Sequence, residues 1–211
     1  MFNGSKIIDK CVSTVSVLQE ELMEEKMDLR IQKTYLLLHN AFTQLLEEKR
    51  FENFTVNELC DLAMIRRATF YKHFADKYEY FSFYMKETVE EFQKNLSQDV
   101  LNDGVRGYLL HMSKELLRFM KQHDRLVRNV RESNVFPVLL SILLEQISLD
   151  VVQILCAEKS GAMDKRKLEG TAAFYAGGLT NTLFQMLKTG TQIDEEEFIG
   201  IISDFLPPVK P

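Results

Sequence analysis

Hydrophobic residues recur at intervals of three and four along most of the chain, which is the spacing of amphipathic helices. The clearest stripe lies between Arg30 and Arg50 and consists of Ile31, Tyr35, Leu38, Phe42, Leu45 and Leu46. Later stripes predict helices that begin near Asp76, Gly104, Asp124, Asn134, Asp164 and Asp194. The expected caps are Asp76, Asp124 and Asp194, the last together with Glu197, and the expected helix ends include Gly190 and Pro207. With two short helices between residues 55 and 73, the pattern predicts about nine helices after residue 28.

Composition supports an all-α protein with a buried core. The 211 residues are 45% hydrophobic and 27% charged, and they include only 9 Gly and 4 Pro, too few for the many turns of a β-sandwich. The most apolar stretch, residues 135–157, carries Glu145 and Asp150 near its middle. It is therefore expected to be a buried helix of a soluble protein and not a membrane span.

The cysteines Cys11, Cys60 and Cys156 are widely separated and form no C-x-x-C pair. Neither a disulfide framework nor a zinc site is indicated, which favours a reducing compartment and a cytoplasmic protein. Cys60 is expected to be a small, packed hydrophobic residue and not a redox sensor.

The chain is predicted to have three parts. Residues 28–77 form one domain and residues 78–211 a second, mostly helical one. Residues 1–27 are an extension of uncertain structure. Two explanations stay open for it: a helix that packs on a partner, or a true start at Met23 or Met27.

A helix-turn-helix is predicted within residues 55–77. Thr55 with Glu58 is a Thr-x-x-Glu capping box and opens a short helix. A tight connection through Met64 and Ile65 leads to a second short helix ending near His73. The net charge of the chain is −5, yet residues 62–77 carry four Lys or Arg against one Asp, or +3. A local cationic surface of this kind can face phosphates.

Residues 55–77 closely resemble the DNA-binding signature of the TetR family of bacterial transcriptional regulators. The matching residues are Thr55, Val56, Ala63, Thr69, Phe70, Tyr71, His73, Phe74 and Lys77. The resemblance implies an all-α fold, in which a three-helix DNA-binding domain precedes a helical domain for effector binding and dimerisation. It also implies a repressor that binds a palindromic operator on double-stranded DNA as a homodimer. A small-molecule effector would then release the operator.

The resemblance implies DNA contacts at Thr55, Arg66, Arg67, Thr69, Tyr71, Lys72, His73 and Lys77. Arginines at the start of a recognition helix can pair with guanine, whereas Tyr71, His73 and Lys77 match phosphate contacts. Two positions depart from the family pattern: Met64 replaces the usual Gly, and Arg66 replaces the usual Ser cap. Altered specificity is the favoured interpretation, and loss of DNA binding is the alternative.

The carboxy-terminal half resembles TetR regulators more weakly. By that resemblance, the dimer interface is predicted to contain Phe174, Gly177, Gly178, Thr182, Phe198 and Ile202. The alternative is that the glycines pack inside the monomer. The aromatic residues Phe81, Tyr84, Tyr108 and Phe119 could line an effector pocket, although such residues are more often core.

No enzyme signature is present: the chain lacks a Gly-rich phosphate loop, G-x-S-x-G and H-E-x-x-H. No cofactor or metal is indicated, and the protein is predicted not to be an enzyme. A basic stripe from Lys114 to Arg131 could bind an anionic effector or partner, but a solvated face is favoured. The alternative function is a helical ligand- or protein-binding module that has lost specific DNA binding.

Overall fold

The structure is a computed structural model that describes residues 29–94, 96, 100, 102–158, 164–189 and 194–206. In that part of the chain there are nine α-helices and one short 3-10 helix, with no strand. The helices are α1 (Leu29–Glu48), α2 (Val56–Leu62), α3 (Arg67–His73), α4 (Lys77–Lys94), α5 (Gly104–Gln122), α6 (Asp124–Arg131), α7 (Phe136–Glu158), α8 (Lys165–Thr189) and α9 (Glu195–Asp204). The 3-10 helix spans Phe51–Asn53 between α1 and α2.

Several predicted helix boundaries rest on side chains that cap backbone amides. Asp76 precedes α4, and its Oδ1 accepts hydrogen bonds from the amides of Tyr78 at 2.8 Å and Glu79 at 2.9 Å. Gly104, which begins α5, has a φ of 61°, a conformation in which glycine has no steric penalty. The break predicted around residue 104 is therefore confirmed.

Two predicted caps differ in detail. Asp124 does not cap α6: His123 occupies that position, and the Asp124 carboxylate instead accepts from Arg128 Nη2 at 2.6 Å, one turn along the helix. Asp194 does cap α9, but its carboxylate accepts from the amide of Glu196 and not from Glu197. The predicted extension at residues 1–27 and the helix ends assigned to Gly190 and Pro207 lie outside the described residues.

The helices pack as a small amino-terminal group joined to a bundle. Helix α1 packs on α2 and α6, and α2 packs on α3. In the bundle, α7 packs mainly on α8 and also on α4 and α5, while α9 packs on α5. Helix α7 is long and apolar enough to cross a membrane by length and composition, with a mean hydropathy of 1.8. Its buried side chains Leu143, Ile147, Val151 and Leu155 lie within the bundle core, and Ile142 packs with the amino-terminal group.

The buried side chains fall into two clusters. The head cluster joins α1, the 3-10 helix, α2, α3 and the first half of α4 to Leu126, Val130, Val135 and Ile142. The body cluster joins the rest of α4, together with α5, to α7, α8 and α9. Packing therefore continues across the predicted domain boundary at residue 77, because Tyr80, Phe81, Tyr84 and Met85 belong to the head cluster.

Candidate nucleic-acid interface

Helix α3 is held by its buried side and presents the other side to solvent. Phe70 and Phe74 are buried in the head cluster. The opposite side of the helix is exposed at Arg67, Ala68, Tyr71 and Lys72. Because residues four apart in a helix share a face, Arg67 lies one turn from Tyr71, and Ala68 one turn from Lys72. The helix therefore offers a continuous surface with cationic and hydroxyl groups.

Within the part of the chain that the structure describes, the charged side chains on this surface form no intramolecular bonds. Arg66, Arg67 and Lys72 form no salt bridge or side-chain hydrogen bond with any other described residue. The Tyr71 side chain is 54% exposed, and its ring packs edge-on against Phe70. These groups are therefore available to an anionic partner without the breaking of an existing contact.

His73 lies at the edge of the same surface and is half-buried. Its Nδ1 is 3.4 Å from the Tyr35 hydroxyl on α1, and the two rings meet edge to face at 5.5 Å. That contact orients the imidazole through a residue of another helix. Its Nε2 has no hydrogen-bond partner within the described residues. Thr69, also half-buried, flanks the surface on the preceding turn.

The turn between α2 and α3 has the backbone geometry that the family pattern meets with glycine. Met64 has a φ of 54°, and the turn is closed by the Met64 amide on the Asp61 carbonyl at 3.2 Å and the Ile65 amide on the Cys60 carbonyl at 3.0 Å. Arg66 occupies the N-cap position of α3 and makes no side-chain cap hydrogen bond. The turn forms, although both departures from the family pattern are unfavourable for it locally.

Thr55 has a structural role at the start of α2. Its hydroxyl accepts from the Glu58 amide at 3.2 Å, and the Glu58 carboxylate accepts from the Thr55 amide at 2.8 Å. The predicted capping box is thus present. Lys49 Nζ lies 2.9 Å from the same Glu58 carboxylate and ties α1 to this end of α2. Thr55 is therefore occupied as a cap, and the phosphate contact predicted for it is not supported.

The phosphate contact predicted for Lys77 is also not supported. Its ammonium points toward residues of the head cluster, where Nζ donates to the carbonyls of Phe51 at 2.8 Å and Phe54 at 2.7 Å. The same nitrogen lies 4.5 Å from the centre of the Phe51 ring. Burial lowers the pKa of this ammonium, and the carboxylates of Glu52 and Glu58 oppose that shift. Lys77 is thus bonded to the 3-10 helix and the loop after it.

Several contacts that were not predicted from the sequence join the end of α1 and the 3-10 helix to α6 and the two residues after it. Asn129 Nδ2 donates to the Leu46 carbonyl at 2.7 Å, and the Phe51 amide donates to Ser133 Oγ at 3.0 Å. Arg50 forms a salt bridge with Glu132. We call these contacts the head–α6 clasp. The Asn129 contact satisfies a carbonyl at the end of α1, where a helix leaves carbonyls without intrahelical partners, and the Ser133 contact satisfies the first amide of the 3-10 helix.

An apolar cavity of about 70 Å³ lies where the two clusters meet. Its lining comes from five helices, α4 to α8, and includes Met85, Thr88, Val89, Phe92, Leu116, Phe119, Val130, Phe136, Leu143 and Leu183. Of the aromatic residues predicted for a pocket, Phe119 lines this cavity. Phe81 and Tyr108 instead belong to the core. Tyr84 does not line this cavity, but it lines, with Phe119, a second and more polar pocket of about 540 Å³ between α1, α4 and α5.

The predicted dimer interface is partly corrected. Phe198 is fully buried and Ile202 is 8% exposed, and both pack in the body cluster of their own chain, so they are not available to a second chain. Phe174 is 71% exposed, and a Cβ atom added at Gly177 or Gly178 would meet no side chain or other helix within 4 Å. These glycines therefore do not mediate packing against any other described part of the monomer. Thr182 is half-exposed, and its hydroxyl donates to the Gly178 carbonyl.

Most of the basic stripe after residue 114 is neutralised locally. Arg118 pairs with Glu115, Lys121 with Glu195, and Arg128 with Asp124. Arg131 donates to the Leu187 carbonyl at 2.9 Å. These contacts favour the solvated-face interpretation over a site for anions. Among the described residues, no group of three or more His, Cys, Asp and Glu side chains has a metal-binding arrangement.

Comparison with solved structures supports the fold at low sequence identity. The chain is similar to DhaS, the dihydroxyacetone kinase operon activator, with a TM-score of 0.57, 17% identity, and coverage of 81% of this chain and 92% of DhaS. It is also similar to the TetR family repressor AlkX from Dietzia sp. strain DQ12-45-1b, with a TM-score of 0.49, 16% identity, and coverage of 81% and 91%. No protein-family model and no curated protein matches the chain.

The similarity to DhaS shows the fold alone: an amino-terminal helix-turn-helix followed by a helical domain. The all-α fold class predicted from the sequence is confirmed.

Proposed function

We propose that this protein is a TetR-family transcriptional regulator that binds a palindromic DNA operator as a homodimer in the cytoplasm. The observation that carries the proposal is the exposed surface of α3, where Arg66, Arg67, Tyr71 and Lys72 form no salt bridge or side-chain hydrogen bond with other described residues. Thr69 and His73 flank this surface. It stands on a buried aromatic core, so its side chains are held on a rigid element, as a reader of base edges requires.

The residues of this surface form two chemical groups, one suited to base edges and one suited to phosphates. Arg66 and Arg67, at the start of α3, have the planar, multiply donating head group that pairs with guanine in the major groove. Tyr71, Lys72 and His73 are further along the helix and suit phosphate oxygens, which fix position without reading sequence. Thr55 and Lys77 are left out of this proposal because their polar groups are bonded within the head.

The test is selection of genomic DNA fragments by the purified full-length protein at physiological salt. The matched control is the Arg67→Ala/Tyr71→Ala double variant, in which both side chains are exposed, so that folding is expected to be preserved. A palindrome enriched by the wild type and absent from the control selection supports the proposal. If a folded wild-type dimer enriches no sequence, two explanations remain: a released state with bound effector, which repetition with refolded, ligand-free protein tests, or a helical binding module of the same fold.

The homodimer is proposed to form through α8, around Phe174, Gly177 and Gly178. The exposed phenyl ring offers apolar area, and the open glycine surface permits close approach of a second helix. A two-fold dimer matches a palindrome with half-sites one or more helical turns apart, a separation of about 34–36 Å or a multiple. Phe174→Glu is expected to give a monomer in light scattering and to weaken operator binding. A dimer retained by this variant would place the interface elsewhere.

We further propose that a small apolar effector binds in the cavity between the clusters and releases DNA, so that the protein acts as a repressor. The cavity wall includes Leu126, Val127 and Val130 on one side of α6. The same helix carries Asn129, and Ser133 follows it, in the clasp that holds the head. A ligand that displaces α6 is therefore coupled to the position of α3. To release DNA, it must bind the displaced state more tightly.

The clasp gives this mechanism a specific test. Asn129→Ala removes the hydrogen bonds to the carbonyl groups at the end of α1 without changing the cavity lining. The variant is expected to keep binding of an effector found by screening, but to lose part of the effect of that ligand on DNA affinity. A reporter gene under the selected operator then shows the direction of regulation. Expression that rises when the protein is deleted identifies a repressor, and expression that falls identifies an activator.

A further inference from the structure

Met64 combines an unfavourable backbone with an unburied side chain. Among the described residues it is the only one, glycine aside, with a positive φ, at 54°. A residue with a Cβ atom is disfavoured there relative to glycine. The Met64 side chain is 84% exposed, so packing in the core does not compensate for the strained backbone. The sequence therefore retains a methionine where glycine would stabilise the isolated protein.

The position of Met64 suggests what the side chain contacts. It lies two residues before Arg66, in the turn that leads into α3, next to the surface proposed to meet DNA. Other large apolar residues of α2, the turn and α3, including Leu59, Ile65 and Phe70, are buried or half-buried. The exceptions are Leu62 at 37% exposure and Tyr71 at 54%. Met64 is thus the most exposed apolar side chain of the helix-turn-helix.

We propose that Met64 is a specificity-determining residue whose side chain packs on the 5-methyl group of a thymine, next to the base pair read by Arg67. This inference rests on the proposed function. The thymine methyl is the apolar group that B-DNA presents in its major groove. Methionine is long, unbranched and polarisable, and it adapts to an irregular apolar surface. The backbone strain is then balanced by a contact that exists in the complex with DNA.

The test uses the full-length protein and the palindrome selected by the wild type. Each thymine is replaced in turn by deoxyuridine, which removes the methyl group and keeps the base pairing. The variants are Met64→Gly, which relieves the strain, and Met64→Asn, which tolerates positive φ and keeps a side chain. Affinity is measured by fluorescence anisotropy, and stability by thermal unfolding.

In the wild type, one thymine in each half-site is expected to contribute to affinity through its methyl group. Removal of that methyl should lower the affinity about fourfold per half-site, the effect of one buried methylene-sized contact. Both variants should bind the thymine and deoxyuridine operators equally. Met64→Gly should also raise the unfolding midpoint by about 2 °C, because it removes strain. Met64→Gly should therefore distinguish less between the thymine and deoxyuridine operators and be more stable than the wild type. A methionine with a purely structural role would not give both results.

Two results overturn the inference. If the variants keep the wild-type sensitivity to deoxyuridine, another residue contacts the methyl group. If Met64→Gly lowers stability, the side chain has a structural role. Failure of the proposed function is distinguishable, because the wild type would then select no palindrome and the effect of Arg67→Ala on binding would vanish as well. A selected palindrome that depends on Arg67 but not on Met64 contradicts this inference alone.

Discussion

The two clusters of this molecule differ in what fills them. The head cluster contains eight fully or nearly fully buried aromatic side chains: Phe42, Phe51, Phe54, Phe70, Phe74, Tyr80, Phe81 and Tyr84. The body cluster contains two, Tyr108 and Phe198, and is otherwise aliphatic. In the head, Phe42 contacts five other rings at centroid separations of 4.9–6.4 Å, several of them edge to face. Edge-to-face contacts of this kind favour one packing arrangement of the rings in the head cluster.

This difference in packing fits the two proposed functions: DNA recognition by the amino-terminal helices and effector binding by the bundle. A unit that reads DNA must hold side chains in place, and interlocked rings provide that rigidity. A unit that responds to a ligand needs internal space and alternative packing. The cavity lies at the boundary with the head, beside α6, and is lined almost entirely by apolar side chains. The head–α6 clasp connects the two units across this boundary.

The largest expected effect comes from breaking the aromatic network of the head. Phe42→Ala removes a fully buried ring that contacts Phe51, Phe54 and Tyr80. It is expected to lower the free energy of unfolding by about 3–5 kcal/mol, measured by urea denaturation. Leu36→Ala, at a residue that is 61% exposed on the same helix, is the control and should change stability little. A loss below about 1 kcal/mol for Phe42→Ala would contradict the rigid head.

The sequence was sufficient to predict most of the fold because the fold depends on local patterns. Stripes of apolar residues, the capping box at Thr55 and the cap at Asp76 each specify a helix start through neighbouring residues. The α3 surface was predictable for the same reason, since a helix with Phe70 and Phe74 buried must expose the residues between them.

Long-range contacts were not predictable from one sequence. Lys77 resembles a phosphate ligand in the motif, but its ammonium is captured by the carbonyls of Phe51 and Phe54, more than twenty residues away. Phe198 and Ile202 have the spacing of an interface stripe, yet that stripe packs inward on the body cluster. The periodicity of a helix shows that one face is buried, but it does not show which partner buries it.

The second expected effect separates structure from DNA contact. Lys77→Met should lower stability by about 1–3 kcal/mol, because carbonyl groups of the head lose their hydrogen-bond donor. The slope of DNA affinity against salt concentration should stay unchanged in this variant. Lys72→Gln is the matched comparison: it should leave stability unchanged and make the salt slope shallower by about 0.9 for each subunit. The reverse outcome would restore Lys77 as a phosphate ligand.

A third prediction compares the tolerance of the two regions to one extra buried group. Ala63→Val adds volume in the head, where overpacking is expected to cost about 1–3 kcal/mol. Val89→Ile adds one methylene group at the cavity wall and should stabilise the protein by about 0.8 kcal/mol. Both are measured by thermal unfolding. Equal destabilisation by the two substitutions would show that the body is packed as tightly as the head.

The smallest expected effect is a pH dependence of protein stability that comes from His39 on α1. Burial lowers the pKa of His39 from its ordinary value of 6.5; nearby Glu91 opposes this shift, whereas His123 reinforces it. The unfolded chain therefore takes up the proton first, and stability is lost as the pH falls below about 6.5. His39→Asn should flatten the stability profile between pH 7.5 and pH 5.5, above the ordinary pKa of carboxyl groups. An unchanged slope in this variant would assign the dependence to another group.

The most direct test of the account is the effect of Arg67→Ala on the base preference of the protein. Equilibrium titrations of wild type and variant against the selected palindrome, and against every single-base change in one half-site, give that preference. We predict that the variant loses about 1–3 kcal/mol of discrimination at one base pair and keeps the wild-type preference at the others. A uniform loss at all positions, or no sequence preference in the wild type, would contradict base reading by α3.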